Sequence, residues 1–267
     1  MRYFADLHVH SRFARATSKS LTLPVLDEWA RKKGITVLGT GDFTHPYWFG
    51  ELREQLEPAP EAGLYEHKNA NGDQPTRFVP SVEVSSIYSQ GGRGRRVHTL
   101  IILPSLEAVK DFNEQLSYVG NLRSDGRPII GASAETIAQM AFKAHPEALV
   151  IPAHVWTPWF SVFGSMSGFD SLEDCFKDLT PRILAIETGL SSDPAMNWRL
   201  SKLDNVALVS NSDAHSANKL GREANEFEGE LSYPAIREAL RTGAPSCANQ
   251  RANSPARLVE TIEFFPE

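Results

Sequence analysis

Short apolar runs rich in β-branched residues recur along this chain, most of them followed by a helical pattern, and that alternation restricts it to a few α/β folds. Residues 3–8 form the first run. "SLTLPVLDEWARKKG" follows, with Pro24 in a helix's first turn, Leu26, Trp29 and Ala30 at helical spacing, and Gly34 as the stop. The later runs are "ITVLGT" (35–40), "RFVPSVEVSSIY" (77–88), "RVHTLIIL" (97–104), "ALVIPAH" (148–154), "RILAIET" (182–188) and "NVALVSNSDAH" (205–215). The third and fourth are joined by "SQGGRGRR", which reads as a hairpin tip. Helical patterns at 105–118, 134–144, 194–203 and 232–241 fill most of the gaps. The expectation is an α/β fold, a distorted seven-stranded (β/α)7 barrel of the TIM type, with an open doubly wound sheet as the competing architecture. One such unit accounts for 267 residues, so residues 1–267 are expected to form a single domain. Two segments read as excursions from it: the polar stretch near 57–76, and 157–171, where Trp156, Trp159, Phe160 and Phe163 crowd together. Those aromatics suit either packing under a long loop or a stacking wall beside a site.

In a barrel of this kind the groups that do chemistry lie at the C-terminal ends of the strands. His8 and His10 close the first run, and on a strand they share a face, with Val9 turned the other way. Asp42 follows the second run, Glu83 lies in the third, His98 starts the fourth, His154 closes the fifth, and Asp213 and His215 close the seventh. Five of the chain's eight histidines thus stand at tips or starts of apolar strands, with three acidic partners. Unpaired polar groups there would be costly to bury, so a shared metal site is the expected explanation. Imidazole and carboxylate without thiolate favour Zn²⁺, Mn²⁺ or Fe²⁺ (with Mg²⁺ as a further option). Eight ligands exceed the needs of one tetrahedral ion, which implies two or three ions. Clustered ions about 3.5–4 Å apart suit phosphoryl hydrolysis by a metal-activated water, and no nucleophilic serine or cysteine motif is evident.

Composition adds exclusions. The net charge of −6 argues against a globally basic nucleic-acid binder, though not against a local basic groove. Cys175 and Cys247 form no C-x-x-C pair, so neither a disulfide framework nor a zinc finger is indicated. With no secretory signal and no run approaching the roughly 18 apolar residues of a membrane span, a cytoplasmic location without membrane contact is expected.

The order of H-x-H, an acidic or histidine ligand after "GT", a mid-chain Glu, two lone His and a late D-x-H resembles the PHP (polymerase and histidinol phosphatase) domain. Within that family "GTGDFTHP", "SVEVSSIY", "IPAHVWTPWF", "IETGLSSDPAMNWRLS" and "VSNSDAHS" are most similar to the N-terminal part of endonuclease Q. The resemblance covers nearly the whole chain. It implies a distorted seven-stranded barrel, a trinuclear metal site, and nicking of DNA on the 5′ side of deaminated bases such as uracil and hypoxanthine, or at abasic sites. It implies metal ligation by His8, His10, Glu83, His98, His154, Asp213 and His215, with His8, His10, Asp213 and His215 carrying catalysis through the activated water. Asp42 stands where many relatives have a histidine, which leaves Asp42 or His45 as that ligand, and "SRFARATS" lacks the ligand relatives often carry after H-x-H. Such relatives continue into a cysteine-rich zinc module that helps grip DNA, and this chain ends without it at "VETIEFFPE".

On the substrate side, Arg12, Arg15, Lys219 and Arg222 flank the ligand motifs, and Arg93, Arg95 and Arg96 crowd the hairpin before His98. Each group suits phosphate contacts or a solvated surface, while Trp156 and Trp159 are the candidates for base contact. Glu187 reads either as an orienter of a ligand histidine or as a cap. Beside the endonuclease stand two other readings: a small-molecule phosphatase acting on a phosphate ester, and a metal-stabilised docking module without activity.

Overall fold

The computed structural model describes residues 1–70 and 75–263. The chain opens with β1 (Arg2–Asp6), α1 (Leu23–Lys33), β2 (Ile35–Gly39) and α2 (Pro46–Gln55). Pro24 lies in the first turn of α1, and Gly34 ends it with a left-handed φ of 73°, the conformation glycine takes without a Cβ penalty. A hairpin of β3 (Leu56–Pro58) and β4 (Tyr65–His67) precedes β5 (Arg77–Val79), β6 (Ser81–Gln90) and β7 (Arg93–Ile102). Next come α3 (Leu106–Ser117), β8 (Ile129–Ile130), α4 (Ala134–Ala144) and β9 (Leu149–Pro152). Ser105 and Ser133 cap α3 and α4 by accepting from Ala108 N and Thr136 N, satisfying donors a helix start leaves free. The remainder is α5 (Leu172–Phe176), β10 (Ala185–Glu187), α6 (Pro194–Asn197), β11 (Ala207–Val209), β12 (Ala224–Gly229), α7 (Tyr233–Gly243) and β13 (Ala256–Ile262).

The strands do not close into the expected (β/α)7 barrel. Among the described residues they form three sheets: a large one ordered β13-β12-β1-β2-β5-β4-β3, a pair β10-β11, and a four-stranded sheet β8-β6-β7-β9. Two local features redirect the chain. Pro80 has no N–H to give a ladder, so the run 77–88 breaks there; β5 stays parallel to β2 while β6 begins a new sheet. Gly91 and Gly92, with φ of 61° and 75°, then turn β6 straight back into an antiparallel β7, as two positive-φ residues do in a tight hairpin. Strands β12 and β13 add antiparallel pairs beside β1 that the sequence pattern did not announce. Between sheets the backbone is joined by isolated hydrogen bonds, such as His10 N to Ala214 O (3.1 Å), Val155 N to Glu187 O (3.0 Å) and Phe43 N to Ser81 O (3.4 Å).

The excursions behave differently. The first supplies β3 and β4 to the edge of the large sheet, with residues 71–74 of that segment outside the described residues. The stretch 157–171 carries no strand or helix and lies along β7, Phe160 O accepting from His98 N (2.9 Å) and Ser167 O from Arg96 N (3.4 Å). The helical pattern at 194–203 becomes the short α6 and one 3₁₀ turn at Ser201–Leu203. No described helix is long and apolar enough to cross a membrane.

Apolar side chains gather in two bodies. One lies under the helices, around Leu26, Phe43, Trp48, Phe112 and Ile137. The other draws on all three sheets through Leu7, Val37, Leu100, Ile151, Ala185 and Val209, and Tyr233 of α7 covers it, its hydroxyl donating to Glu147 O (2.8 Å). Phe112 is fully buried and meets Phe43 edge to face at 5.9 Å. Phe112→Ala should lower stability by about 3–5 kcal/mol through lost transfer energy and the cavity left behind, read as a fall in the urea midpoint at unchanged slope.

Candidate metal centre

The centre forms where the three sheets meet at their strand ends. His8 and His10 lie just beyond β1, Asp213 beyond β11, and His154 beyond β9, while Glu83 and His98 sit on β6 and β7 themselves. The β6–β7 register pairs Glu83 with Leu100 and Ser85 with His98, so Glu83 and His98 are diagonal neighbours on one face. Glu83 is buried and central. Its Oε1 lies 2.7 Å from His98 Nδ1, 3.0 Å from His154 Nε2 and 3.8 Å from His8 Nε2. Its Oε2 is 3.6 Å from His10 Nε2. Asp213 Oδ1 adds a second carboxylate 3.0 Å from His10 Nε2 and 3.7 Å from His8 Nε2.

Behind the imidazoles stand acceptors that fix their tautomers. Glu187 takes both oxygens to His8 Nδ1 (3.0 and 3.1 Å) and is itself held by Asn211 Nδ2 (2.9 Å) and by His154 N (2.9 Å). Asp42 Oδ1 accepts from His10 Nδ1 (3.0 Å), and its Oδ2 accepts from Ser11 N (2.6 Å) and Ser11 Oγ (2.7 Å). His154 Nδ1 pairs with Thr157 Oγ1 (3.1 Å), and His215 Nδ1 donates to Asp213 O (2.9 Å). A carboxylate on one ring nitrogen leaves the other as a lone-pair donor and raises its basicity.

The donor set fits divalent ions. Two groups each offer atoms within 4.8 Å of one another: His8, His10, Glu83 and Asp213, and Glu83, His98 and His154. His8 Nε2 is buried with no hydrogen-bond partner although it points at carboxylates, an orphan a cation would satisfy. Two imidazole nitrogens, His98 Nδ1 and His154 Nε2, approach each other to 3.3 Å over one carboxylate oxygen.

Electrostatics agrees. Burial pushes His10 down, but the Asp42 and Asp213 carboxylates push it up further, to about 9. Burial likewise opposes charge on His8, and Glu187 with Glu83 overrules it, leaving His8 well above the usual imidazole range. Burial would raise Glu83 and Asp213, yet the surrounding imidazoles hold both carboxyls well below the ordinary range. The cluster therefore attracts positive charge, as protons or as metal. His98 is pushed down to about 4, chiefly by burial, so its ring is neutral and available for ligation near neutral pH.

Three residues here hold a left-handed backbone without being glycine: Asp42 (φ 50°), His154 (φ 31°) and Asp213 (φ 46°). Such residues cost on the order of 1–3 kcal/mol each and persist where surrounding structure enforces them. Gly189 packs under His154 so closely that a Cβ would lie 2.5 Å from the His154 Cβ. A cleft of about 230 Å³ opens beside the cluster, lined by His98, His154, Trp159, Phe160, Leu190 and Asp213 among others. A larger cleft of about 500 Å³ between Trp198 and Leu258 is lined by no member of the cluster.

The other sequence candidates are more dispersed. His45 caps α2, stacks on Phe13 at 4.4 Å, and gives its backbone N–H to Asp42 O (2.9 Å); among the described residues its side chain makes no hydrogen bond or ion pair with the cluster. Arg12 pairs with Glu51 (2.6 Å), Arg15 lies 3.7 Å from Asp125, and Arg222 donates to Ser212 O (2.7 Å), bracing the D-x-H loop. Among the described residues none of these three, nor Lys219, bonds to a cluster side chain. Trp156 donates to Asn197 Oδ1 (2.9 Å) and packs on Phe163, whereas Trp159 faces the cleft with Arg96 4.8 Å from its ring centre. Among the described residues, the arginine that bonds to the cluster is Arg127, whose Nη1 donates to Glu83 Oε2 (3.0 Å). Sequence reasoning passed over it because "SDGRP" reads only as a turn.

Comparison with known proteins shows what this arrangement is similar to. The lesion-specific endonuclease PfuEndoQ of Pyrococcus furiosus superposes on the whole chain with a TM-score of 0.82 and 32% identity. The chain has an endonuclease Q-like fold. An endonuclease Q bound to a 27-mer duplex with an abasic lesion at its active site matches 90% of the chain at a TM-score of 0.78 and 36% identity. The uncharacterized protein YqxK of Bacillus subtilis is 33% identical over 238 residues, 85% of this chain. The chain spans 60% and 56% of the two endonuclease Q chains and 58% of YqxK. No protein-family model matches it.

Two measurements check the centre. Glu187→Gln keeps the shape behind His8 but removes its charge, and should weaken metal affinity about 10–100-fold in competition with a chromophoric chelator. Because His10 is raised to about 9 in the folded, metal-free chain from about 6.5 unfolded, its stabilising contribution is full below that lower value and lost as pH rises through the higher one. Thermal melts of metal-free protein should therefore fall between pH 7 and about 9.5, and His10→Gln should flatten that fall; parallel curves would show His10 uncharged.

Proposed function

We propose that this chain is the metal-dependent phosphoesterase part of a DNA endonuclease of the endonuclease Q type. The carrying observation is the two-lobed donor cluster around Glu83, set in a fold that superposes along its whole length on a lesion-specific endonuclease. We assign His8, His10, Glu83, His98, His154, Asp213 and His215 to holding two or three divalent ions of Zn²⁺, Mn²⁺ or Fe²⁺ type, the donor set being imidazole and carboxylate without thiolate. Asp42, tied through both oxygens to His10 and Ser11, aims His10 as Glu187 aims His8. Bound ions would supply positive charge to the scissile phosphate and acidity to a water molecule.

The chain's own residues do the rest. Asp42 and Glu187 keep the outer nitrogens of His10 and His8 protonated, so the inner nitrogens face the cluster as bases. Asp213 stays ionised, and its positive-φ backbone turns its carboxylate toward His10 and His8. His215 has a side chain one-third exposed and a pKa lowered mainly by burial. It is uncharged near neutrality, and with Nδ1 on the Asp213 carbonyl it has Nε2 left to offer a lone pair to an ion at the mouth. The cleft walled by Trp159 and Phe160 offers aromatic faces beside the donor cluster, which suits an unstacked nucleotide. DNA bearing an abasic site or a deaminated base, uracil or hypoxanthine, is the proposed substrate.

The test is a nicking assay. Chain loaded with Mn²⁺ or Zn²⁺ should cleave a duplex carrying one abasic site, uracil or hypoxanthine 5′ of the lesion and leave the undamaged duplex intact, and chelation should abolish cleavage. His8→Ala and Asp213→Ala should each lower cleavage at least about 10²-fold. Turnover of a phosphomonoester with no nicked DNA would replace this reading with a small-molecule phosphatase.

A further inference from the structure

We propose that Arg127 is the anion-binding side chain of this centre and takes a non-bridging oxygen of the substrate's phosphate. The inference rests on the phosphoesterase reading and deepens it. Arg127 is in contact with Glu83, the carboxylate that both halves of the donor cluster share. A fixed cation there weakens the site's attraction for divalent ions, since like charges at short range repel. In the metal-free chain Glu83, Asp213 and Asp125 surround it with negative charge; bound divalent ions would offset Glu83 and Asp213, and the phosphate of the proposed substrate is then an anion for the guanidinium to take.

The surroundings hold Arg127 for that task. Its loop is pinned on both sides: Pro128 O accepts from Ser85 N on the strand that carries Glu83 (3.0 Å), and Gly126 N donates to Phe13 O just after H-x-H (3.0 Å). Asp125 Oδ1 accepts from Arg127 N (3.1 Å) and Arg15 N (3.0 Å), which closes the turn. Gly126 passes so near Asp42 that a Cβ would lie 2.5 Å from Asp42 Oδ2, so only glycine lets the loop reach this depth. The Arg127 side chain nevertheless stays one-quarter exposed. Its Nη1 holds Glu83, while Nε and Nη2 make no hydrogen bond among the described residues. That leaves most of a planar fork of donors, the geometry that matches phosphate oxygens.

Arg127→Gln keeps a donor for Glu83 and removes the charge; Arg127→Lys keeps the charge and removes the fork. Both should load at least as much Mn²⁺ as the parent chain, read by elemental mass spectrometry. Inorganic phosphate should bind Mn²⁺-loaded Arg127→Gln at least about 10-fold more weakly by calorimetry, and kcat/KM for cleavage should fall about 10²-fold, the usual loss for one preorganised donor. Arg127→Lys should lie between. The inference is overturned if Arg127→Gln binds phosphate and cleaves like the parent, or if it loses metal, which would make Arg127 a support for Glu83. Failure of the phosphoesterase reading looks different: the parent chain itself would cleave no phosphate ester.

Discussion

A buried carboxylate shared by several partners is the constraint on which the rest of this structure depends. Glu83 is 1% exposed, and an ionised group taken out of water is tolerated only when paired and hydrogen-bonded. Four histidines and one arginine from four separate segments supply that pairing. Its place is set by the β6–β7 register, because a slip of one residue would turn Glu83 to the opposite face and leave His98 without it. Pro80 and the Gly91–Gly92 turn, which break the barrel pattern, also fix that register. The departure from a regular barrel and the position of the site therefore have one cause.

Around Glu83 the polar groups form two layers. Imidazoles face inward, and behind them Glu187, Asp42 and Thr157 hold the outer nitrogens. The left-handed backbones at Asp42, His154 and Asp213 aim these groups where relaxed conformations would not, and the hydrogen bonds behind them oppose relaxation. The sequence places such residues one after a glycine, one after an apolar strand and one in "NSD", all at strand exits where local geometry is least regular.

How much of this was legible varies by segment. Residues at strand ends could be picked out because polarity interrupts an apolar run, a signal carried by the sequence itself. The helices α1, α3, α4 and α7 were readable through caps and 3.6-residue spacing. Closure was not, since whether two strands pair depends on contacts far apart in the chain; Ala5 with Asn225 is one such pair. Asp42 reads as a ligand from its residue type and strand-end position, and the folded chain adds that its oxygens accept from His10 and Ser11. Arg127 gave no signal because a lone arginine before proline is common in turns, and its meaning comes from Glu83, 44 residues away.

The three sheets supply different members of the cluster, and this bears on what the cluster does for the fold. Among the described residues only isolated backbone hydrogen bonds span the gaps, so much of the joining falls to side chains. His8 on Glu187 ties the large sheet to the pair β10-β11, His154 N on Glu187 ties the four-stranded sheet to the same pair, and Glu83 near His8 and His10 links the remaining two. A closed barrel would carry that load through its backbone ladder and leave its strand-end side chains free of it. Here the same atoms have two tasks, so charge entering the cluster, as protons or as metal, acts on the seams between sheets as well as on chemistry. Folding and metal binding in such an arrangement are linked quantities, and the site's geometry is as firm as the positive charge that occupies it.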